Sequence, residues 1–137
     1  MTNRRDFLKR SCAASFALAV PSRLWSQSSV TAGDMRLDTL SDGNLTIPKS
    51  FTLGDMPPNR AEEILTRYGL TGDTLMPECN VTLFRDGTRT VLFDVGAGAD
   101  FMPSTGRLSE ALDALGVDPF DVTDVVFTHA HPDHIWG

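Results

Sequence analysis

The sequence has few of the residues that build a disulfide scaffold and no hydrophobic run long enough for a membrane span. Its two cysteines, Cys12 and Cys79, fall on opposite sides of any plausible processing site, so a mature chain has no intramolecular disulfide framework. The uncharged, mostly apolar stretch from Ser11 to Val20 is too short to cross a bilayer. These absences exclude a disulfide-rich scaffold and a membrane bundle.

Basic residues are scarce beyond the first 23 positions. The residues from Ser29 onward hold seven bases and seventeen acids, a net charge of −10. A surface this acidic repels phosphate backbones, so the composition excludes nucleic acid as a partner. The expected partner is a small-molecule substrate. The chain has no internal repeat and no low-complexity stretch.

Several enzyme motifs are also missing. The turn at Gly96 to Gly98 follows a predicted strand, but no G-x-G-x-x-G spacing and no Walker lysine accompany it, which argues against a phosphate-binding loop. The histidine spacing excludes a helical H-E-x-x-H protease site. A Ser/His/Asp triad stays possible, although a triad needs no clustering of histidines.

The first residues have the pattern of an export signal. Asn3 to Lys9 reads N-R-R-D-F-L-K, a twin-arginine pattern, and Ser11 to Val20 follows as a short apolar region. We therefore predict a twin-arginine signal peptide over residues 1–28, cleaved somewhere between 19 and 33. This predicts the export machinery as a partner, a periplasmic or secreted location and no stable membrane insertion. The alternative is a basic, amphipathic helical start to a cytoplasmic protein.

The remaining residues predict alternating strands and helices. A first hairpin is predicted from Met35–Leu40 and Leu45–Ile47 around the turn cluster at 41–44, followed by a loop over 51–58. Asn59, with Glu62 three residues on, is predicted to cap a helix that Gly69 ends. A second hairpin is predicted from 81–85 and 88–95, with a two-residue turn at Asp86–Gly87. A second helix is predicted to be capped by Ser104 or Thr105 and to end at Gly116. The last prediction is a strand over 122–128 that is buried on both faces.

All three histidines of the chain lie within six residues, with an aspartate between them: His129, His131, Asp133 and His134. In an extended segment residues two apart point the same way, so His129 and His131 can face one ion. Pro132 favours an extended conformation at His131. Imidazole and carboxylate ligands suit zinc, with iron or manganese as alternatives.

The segment Thr128 to Gly137 reads T-H-A-H-P-D-H-I-W-G and resembles the T-H-x-H-x-D-H-x-x-G signature of the metallo-β-lactamase superfamily. The resemblance extends back through the strand ending at Asp94-Val95-Gly96 and covers residues 35–137. From Asn80 onward the chain looks most like the branch of quorum-quenching lactonases and methyl-parathion-type hydrolases.

The resemblance implies an α/β fold, the N-terminal half of an αββα sandwich, over residues 29–137. It implies two divalent metal ions, with His129 and His131 on the first and Asp133 and His134 on the second. It further implies that Asp94 lies beneath residues 129–134, which we call the metal loop, and forms hydrogen bonds to them. Catalysis would use a metal-bound hydroxide against an ester, lactone, amide or phosphoester, with Asp133 orienting the water.

The family also takes ligands from later in the domain, and this sequence has no histidine outside the loop. We therefore expect a truncated form of a longer protein, poorly folded and inactive by itself. Two alternatives remain open: an iron-dependent oxygenase or redox protein of the same fold, and an inactive metal-binding remnant.

Residues outside the loop carry weaker signals. Cys79 is expected to be a small buried residue, with a reactive thiol as the alternative. Four large side chains either line the substrate mouth or pack in the core: Phe51, Met56, Tyr68 and Met76.

Overall fold

The computed structural model describes residues 28–137, so the predicted signal peptide lies outside the described residues except for Ser28. Within them no helix has the length and apolar character that a bilayer crossing requires. The strands are β1 (Ser29–Ala32), β2 (Met35–Asn44), β3 (Ile47–Pro48), β4 (Thr74–Leu75), β5 (Glu78–Arg85), β6 (Thr90–Phe93) and β7 (Asp124–Val126). The helices are α1 (Lys49–Leu53), α2 (Pro58–Arg67), α3 (Leu108–Ala114) and α4 (Pro132–Ile135), with a 3₁₀ turn at Pro119–Asp121.

Five strands form the main sheet in the order β1-β2-β5-β6-β7, and β3 pairs with β4 separately. Neighbours in the main sheet are antiparallel except β6 and β7, which are parallel. A parallel pair needs a long crossover, and here α3 lies within the crossover from β6 to β7. This mixture of strands and helices confirms the predicted α/β class.

The core lies between the sheet and α3. Alternating residues of the strands point one way, so one face of the sheet supplies a row of buried side chains to the helix. The buried cluster comprises Leu40, Val81, Leu83, Leu92, Ala111, Leu112 and Val117. Full burial of each large aliphatic side chain stabilises the fold by about 2 kcal/mol relative to exposure. The helix predicted to end at Gly116 is present as α3, and its apolar residues Leu108, Ala111, Leu112 and Leu115 lie in or against this cluster.

The hairpin of β5 and β6 is confirmed, but its turn is longer than predicted. Arg85 pairs with Thr90, which leaves a four-residue connection instead of the two-residue turn. The Asp86 carboxylate accepts hydrogen bonds from the backbone N–H groups of Thr88 and Arg89 and forms an ion pair with the Arg89 side chain. These local bonds satisfy the extra backbone groups and stabilise the longer loop.

The first predicted hairpin is wrong. Residues 41–44 continue strand β2 with an irregular register opposite β5, and β2 forms its hairpin with β1 through Gly33. The polar cluster remains in the strand because Asp42 is buried and its carboxylate accepts the N–H groups of Ala97, at 2.8 Å, and Leu108, at 3.0 Å. The predicted loop over 51–58 also begins inside helix α1.

Both predicted helix caps are wrong. Helix α2 begins at Pro58 without a side-chain cap, because a proline at the first helical position has no N–H to satisfy. Helix α3 begins at Leu108, three residues after Thr105. Asp42 accepts the first N–H of this helix from a distant strand, so the cap comes from tertiary structure.

Strand β7 is shorter and more exposed than predicted. It covers three residues, and Val125, Val126 and the following Phe127 are 44%, 43% and 54% exposed. Among the described strands β7 pairs with β6 alone, so one edge has no partner there. The prediction of a strand buried on both faces is therefore wrong for the described chain.

Candidate metal centre

The carboxyl ends of β6 and β7 meet at one edge of the sheet, and the polar residues of the metal loop gather there. Parallel pairing brings Asp94, which follows β6, beside Thr128, which follows β7. The N–H of Asp94 donates to the carbonyl oxygen of Val126 at 2.9 Å. The sheet register therefore fixes the position of Asp94 against the start of the histidine loop.

Asp94 is the one non-glycine residue within 28–137 that has a positive φ, at 65°. This conformation is uncommon for side chains with a Cβ, although aspartate tolerates it better than most. The carboxylate is buried, with the residue 5% exposed, and it accepts three hydrogen bonds. Thr128 N donates to Oδ1 at 2.7 Å, while Thr128 Oγ and His134 Nδ1 lie 2.7 and 2.8 Å from Oδ2.

Burial acts to raise the pKa of Asp94, but the hydrogen bonds from His134 and Thr128 outweigh it and lower that pKa below its ordinary value. The carboxylate is therefore ionised at neutral pH and can only accept hydrogen bonds. Since it accepts from His134 Nδ1, that nitrogen carries the proton. Nε2 of His134, the other ring nitrogen, lies 3.4 Å from Asp133 Oδ2.

The other two histidines also face each other. Nε2 of His129 lies 2.9 Å from Nδ1 of His131, and their ring centroids are 4.7 Å apart. The ring of His129 is also 3.9 Å from that of His134, centroid to centroid. Sequence reasoning placed His129 beside His131 and Asp133 beside His134, and the structure brings both pairs together in one cluster.

The separations within these pairs suit metal ligands. Two nitrogen ligands at the usual zinc distances in a tetrahedral site are about 3.3 Å apart. The observed 2.9 and 3.4 Å bracket this value. Among residues 28–137, no three or more His, Cys, Asp or Glu side chains are arranged to hold one ion. The pair His129–His131 and the pair Asp133–His134 would therefore each need further ligands. The donor chemistry of these two pairs therefore fits divalent metal ions.

Backbone hydrogen bonds tie helix α4 to the loop after β6. Val95 N donates to the carbonyl oxygen of His134 at 2.9 Å, and Gly137 N donates to that of Gly96 at 3.1 Å. A Cβ on Gly96 would lie 2.5 Å from Cγ of Asp42, so only glycine fits against that carboxylate. These contacts make the 94–98 turn a support for the metal loop.

An apolar cavity of about 480 Å³ opens beside the metal loop. Three residues of the metal loop line it: His131, Pro132 and Asp133. The other lining side chains are apolar and come from the region between β2 and α1 and from the loop before α3: Leu45, Ile47, Phe51, Phe101 and Met102. Of the four large side chains considered for the substrate mouth, Phe51 lines this cavity. Met76 and Met56 line separate cavities, and Tyr68 is 73% exposed.

Cys79 is buried, as predicted, and burial raises the pKa of its thiol to about 11. A thiol with this pKa is protonated at neutral pH, which argues against a reactive nucleophile. Asp42 is a supporting residue that sequence reasoning missed, because its partners are 55 and 66 positions away. No local signal could have identified it.

The sequence model of the metallo-beta-lactamase superfamily matches residues 76–137, the segment that contains β5, β6, α3 and the metal loop. No curated protein sequence matches the chain.

Three solved structures with a similar fold are described as a lactonase or as hydrolases. AidC, a dizinc quorum-quenching lactonase solved with a product, is 25% identical with a TM-score of 0.72, over 79% of this chain and 37% of its own. The hydrolase AbOPH of the beta lactamase superfamily is 29% identical with a TM-score of 0.72, over 81% and 38%. A probable metal-dependent hydrolase from Staphylococcus aureus, 19% identical with a TM-score of 0.61 over 77% and 41%, supports the fold alone.

Residues 76–137 therefore match the family model of the metallo-beta-lactamase superfamily, and the fold of the described chain is similar to the folds of solved hydrolases. The chain spans 37% to 41% of the length of the solved structures it matches.

Proposed function

We propose that the chain contributes the first metal-binding loop of a zinc-dependent hydrolase that cleaves an ester, a lactone or a phosphoester. The observation that carries this proposal is the pairing of donors in the loop. His129 faces His131, His134 faces Asp133, and Asp94 holds the Nδ1 proton of His134 so that its Nε2 is free to bind. Bound divalent ions would supply Lewis-acid chemistry and a water molecule acidified to near neutral pH.

The residues have separate roles in the proposed site. His129 and His131 would hold the first ion, and Asp133 and His134 the second. Asp133 lies both against His134 Nε2 and in the wall of the cavity, so its carboxylate is placed to orient a water molecule towards a substrate there. Asp133 is therefore the proposed catalytic residue of this loop.

We propose that this cavity binds the apolar group of the substrate next to the scissile bond. Most of its lining is apolar, and it is large enough for an alkyl, acyl or aryl group. Such a group would remove apolar surface from water while its ester or lactone carbonyl, or its phosphorus centre, lies towards His131 and Asp133. Similarity to AidC favours a lactone among these candidates.

The rest of the site is proposed to come from a longer polypeptide. A structural or catalytic zinc ion has three or four protein ligands, and the described loop offers two to each ion. The neighbours are more than twice as long as the stretch they share with this chain. We propose that the active protein includes the corresponding later residues, and that a twin-arginine signal exports it to the periplasm or beyond.

The test uses the protein at its full natural length, purified without chelators and assayed against lactones, β-lactams and phosphotriesters. We expect turnover of at least one class, and a loss of about 100-fold or more in kcat for Asp133→Asn. Asp100→Asn, an exposed aspartate before α3, is the matched control and should keep full activity. Unchanged kcat in Asp133→Asn would contradict the proposal, and iron in place of zinc would favour the oxygenase alternative.

A further inference from the structure

We propose that Thr128 is a positioning residue whose hydroxyl group connects Asp94 to His129, so that one carboxylate sets the ring tautomer of a ligand in each metal pair. The inference rests on the proposed function, since it concerns how the metal ligands are prepared. Thr128 precedes the first histidine of the loop and is not among the proposed ligands.

The argument starts from two short contacts of one hydroxyl group. Thr128 Oγ lies 2.7 Å from Asp94 Oδ2 and 3.0 Å from His129 Nδ1. A hydroxyl has one proton to donate. If that proton pointed to His129, Thr128 Oγ and the carboxylate would be two acceptors in close contact without a proton between them, which is electrostatically unfavourable.

The proton positions follow from this restriction. Thr128 N–H donates to Asp94 Oδ1 at 2.7 Å and Thr128 Oγ–H donates to Asp94 Oδ2 at 2.7 Å, so both polar groups of Thr128 treat this carboxylate as an acceptor. The hydroxyl oxygen then accepts from His129 Nδ1–H, which leaves the His129 lone pair on Nε2. That nitrogen is the one facing His131 Nδ1 at 2.9 Å.

The same carboxylate oxygen acts directly on the second pair. His134 Nδ1–H donates to Asp94 Oδ2 at 2.8 Å, which turns Nε2, the other ring nitrogen, towards Asp133. Asp94 therefore fixes the Nδ1 proton of His134 through a direct hydrogen bond, and that of His129 through two hydrogen bonds that share the hydroxyl group of Thr128. A histidine whose second nitrogen is fixed by an acceptor loses less freedom on binding a metal ion, and its basicity is higher.

The experiment reads ring tautomers and metal affinity separately. Long-range ¹H–¹⁵N spectra of the metal-free, full-length protein report which nitrogen of each ring is protonated. We expect the Nδ1–H tautomer for both His129 and His134 in the wild type. In Thr128→Val we expect His129 to change towards a mixture of tautomers while His134 keeps Nδ1–H.

Zinc affinity, measured by competition with a chromogenic chelator, should fall about 10- to 100-fold in Thr128→Val. Thr128→Ser keeps the hydroxyl and should stay close to the wild type. Thr123→Val is the matched control, because Thr123 Oγ bonds to Thr90 and Asp124 near the opposite end of β7 and reaches no histidine. It should leave both tautomers and the zinc affinity unchanged.

The wild-type spectrum tests the inference even if a variant fails to fold. A His129 ring protonated on Nε2, or a Thr128→Val variant with wild-type tautomers and affinity, would overturn it. A wild-type protein that has the expected tautomers but binds no zinc would overturn the proposed function and leave the hydrogen-bond relay standing, so the two failures are distinguishable.

Discussion

Two buried aspartates of the same sheet, Asp38 and Asp94, have different kinds of partner. Asp38 is 2% exposed and forms ion pairs at 2.8 Å with Arg36 and Arg85, which lie in strands β2 and β5. Asp94 is 5% exposed, and its hydrogen-bond donors are Thr128 and His134, in and beside the metal loop. The first carboxylate holds two strands together with permanent charges, whereas the second holds the rings of proposed ligands.

The comparison separates stability from ligand preparation. Burial acts to raise the pKa of Asp38, and hydrogen bonds from Arg36, Ser29 and Arg85 lower it to about 2. Within the described chain, the side-chain hydrogen bonds of Arg36 and Arg85 go to Asp38 and Ser29, and none goes to the metal loop. Variants of Asp38 should therefore change the free energy of unfolding, and variants of Asp94 should change metal binding.

The largest effect is expected for Asp38→Ala, which removes the charge between two arginines. Removing one partner of a buried ion pair costs about 3 kcal/mol or more. The cost here should lie at the low end of that range, because water still reaches the guanidinium groups of Arg36 and Arg85, which are 44% and 27% exposed. Urea denaturation should show this loss in the free energy of unfolding. Glu63→Ala is the matched control: Glu63 also pairs with two arginines, Arg60 and Arg67, but is exposed, so less than about 1 kcal/mol is expected. Equal losses in Asp38→Ala and Glu63→Ala would contradict the conclusion that the buried ion pairs of Asp38 stabilise the fold.

A smaller and different effect is expected for Asp94→Asn. Asparagine tolerates the positive φ at this position, so the fold should be retained. Its amide offers only one acceptor atom, so the contacts of Thr128 and His134 cannot all be kept. Zinc affinity should fall about 10- to 100-fold in chelator competition. An Asp38→Asn variant with the same loss of affinity would remove the distinction between the two carboxylates.

The smallest effect is the acid dependence of stability. Since the folded-state pKa of Asp38 is about 2 and its ordinary value is 3.8, its ionisation stabilises the fold fully above about pH 4 and this contribution is lost as the pH falls towards 2. The contribution is about 2 kcal/mol at most. Unfolding measured between pH 5 and pH 2 should show a shallower slope in Asp38→Asn than in the wild type. Identical slopes would show that Asp38 carries no such linkage.

Sequence patterns predicted the parts of the fold that depend on neighbouring residues. The histidine cluster lies in one short segment, so His129 and His131 could be paired from their spacing, and the family resemblance paired Asp133 with His134. The hairpin of β5 and β6 and the apolar stripe of α3 also follow from local periodicity. Asp94 was placed under the loop by family resemblance, and its contact with His134 agrees with that placement.

The errors arise where distant residues decide the structure. The cluster at 41–44 has the composition of a turn, yet it continues β2 because Asp42 binds backbone groups more than 50 positions away. The start of α3 depends on the same carboxylate. Thr128 was not identified because its role depends on the register of β6 and β7, which brings Asp94 beside it.

The most direct measurement is the metal content of the full-length protein, purified without chelators, beside a His129→Ala/His131→Ala/His134→Ala variant. Elemental analysis should find bound zinc in the wild type and a loss of most of it in the triple variant, with circular dichroism showing that the variant is folded. A wild type without any transition metal, or a folded triple variant that keeps its zinc, would contradict the claim that these imidazoles bind metal.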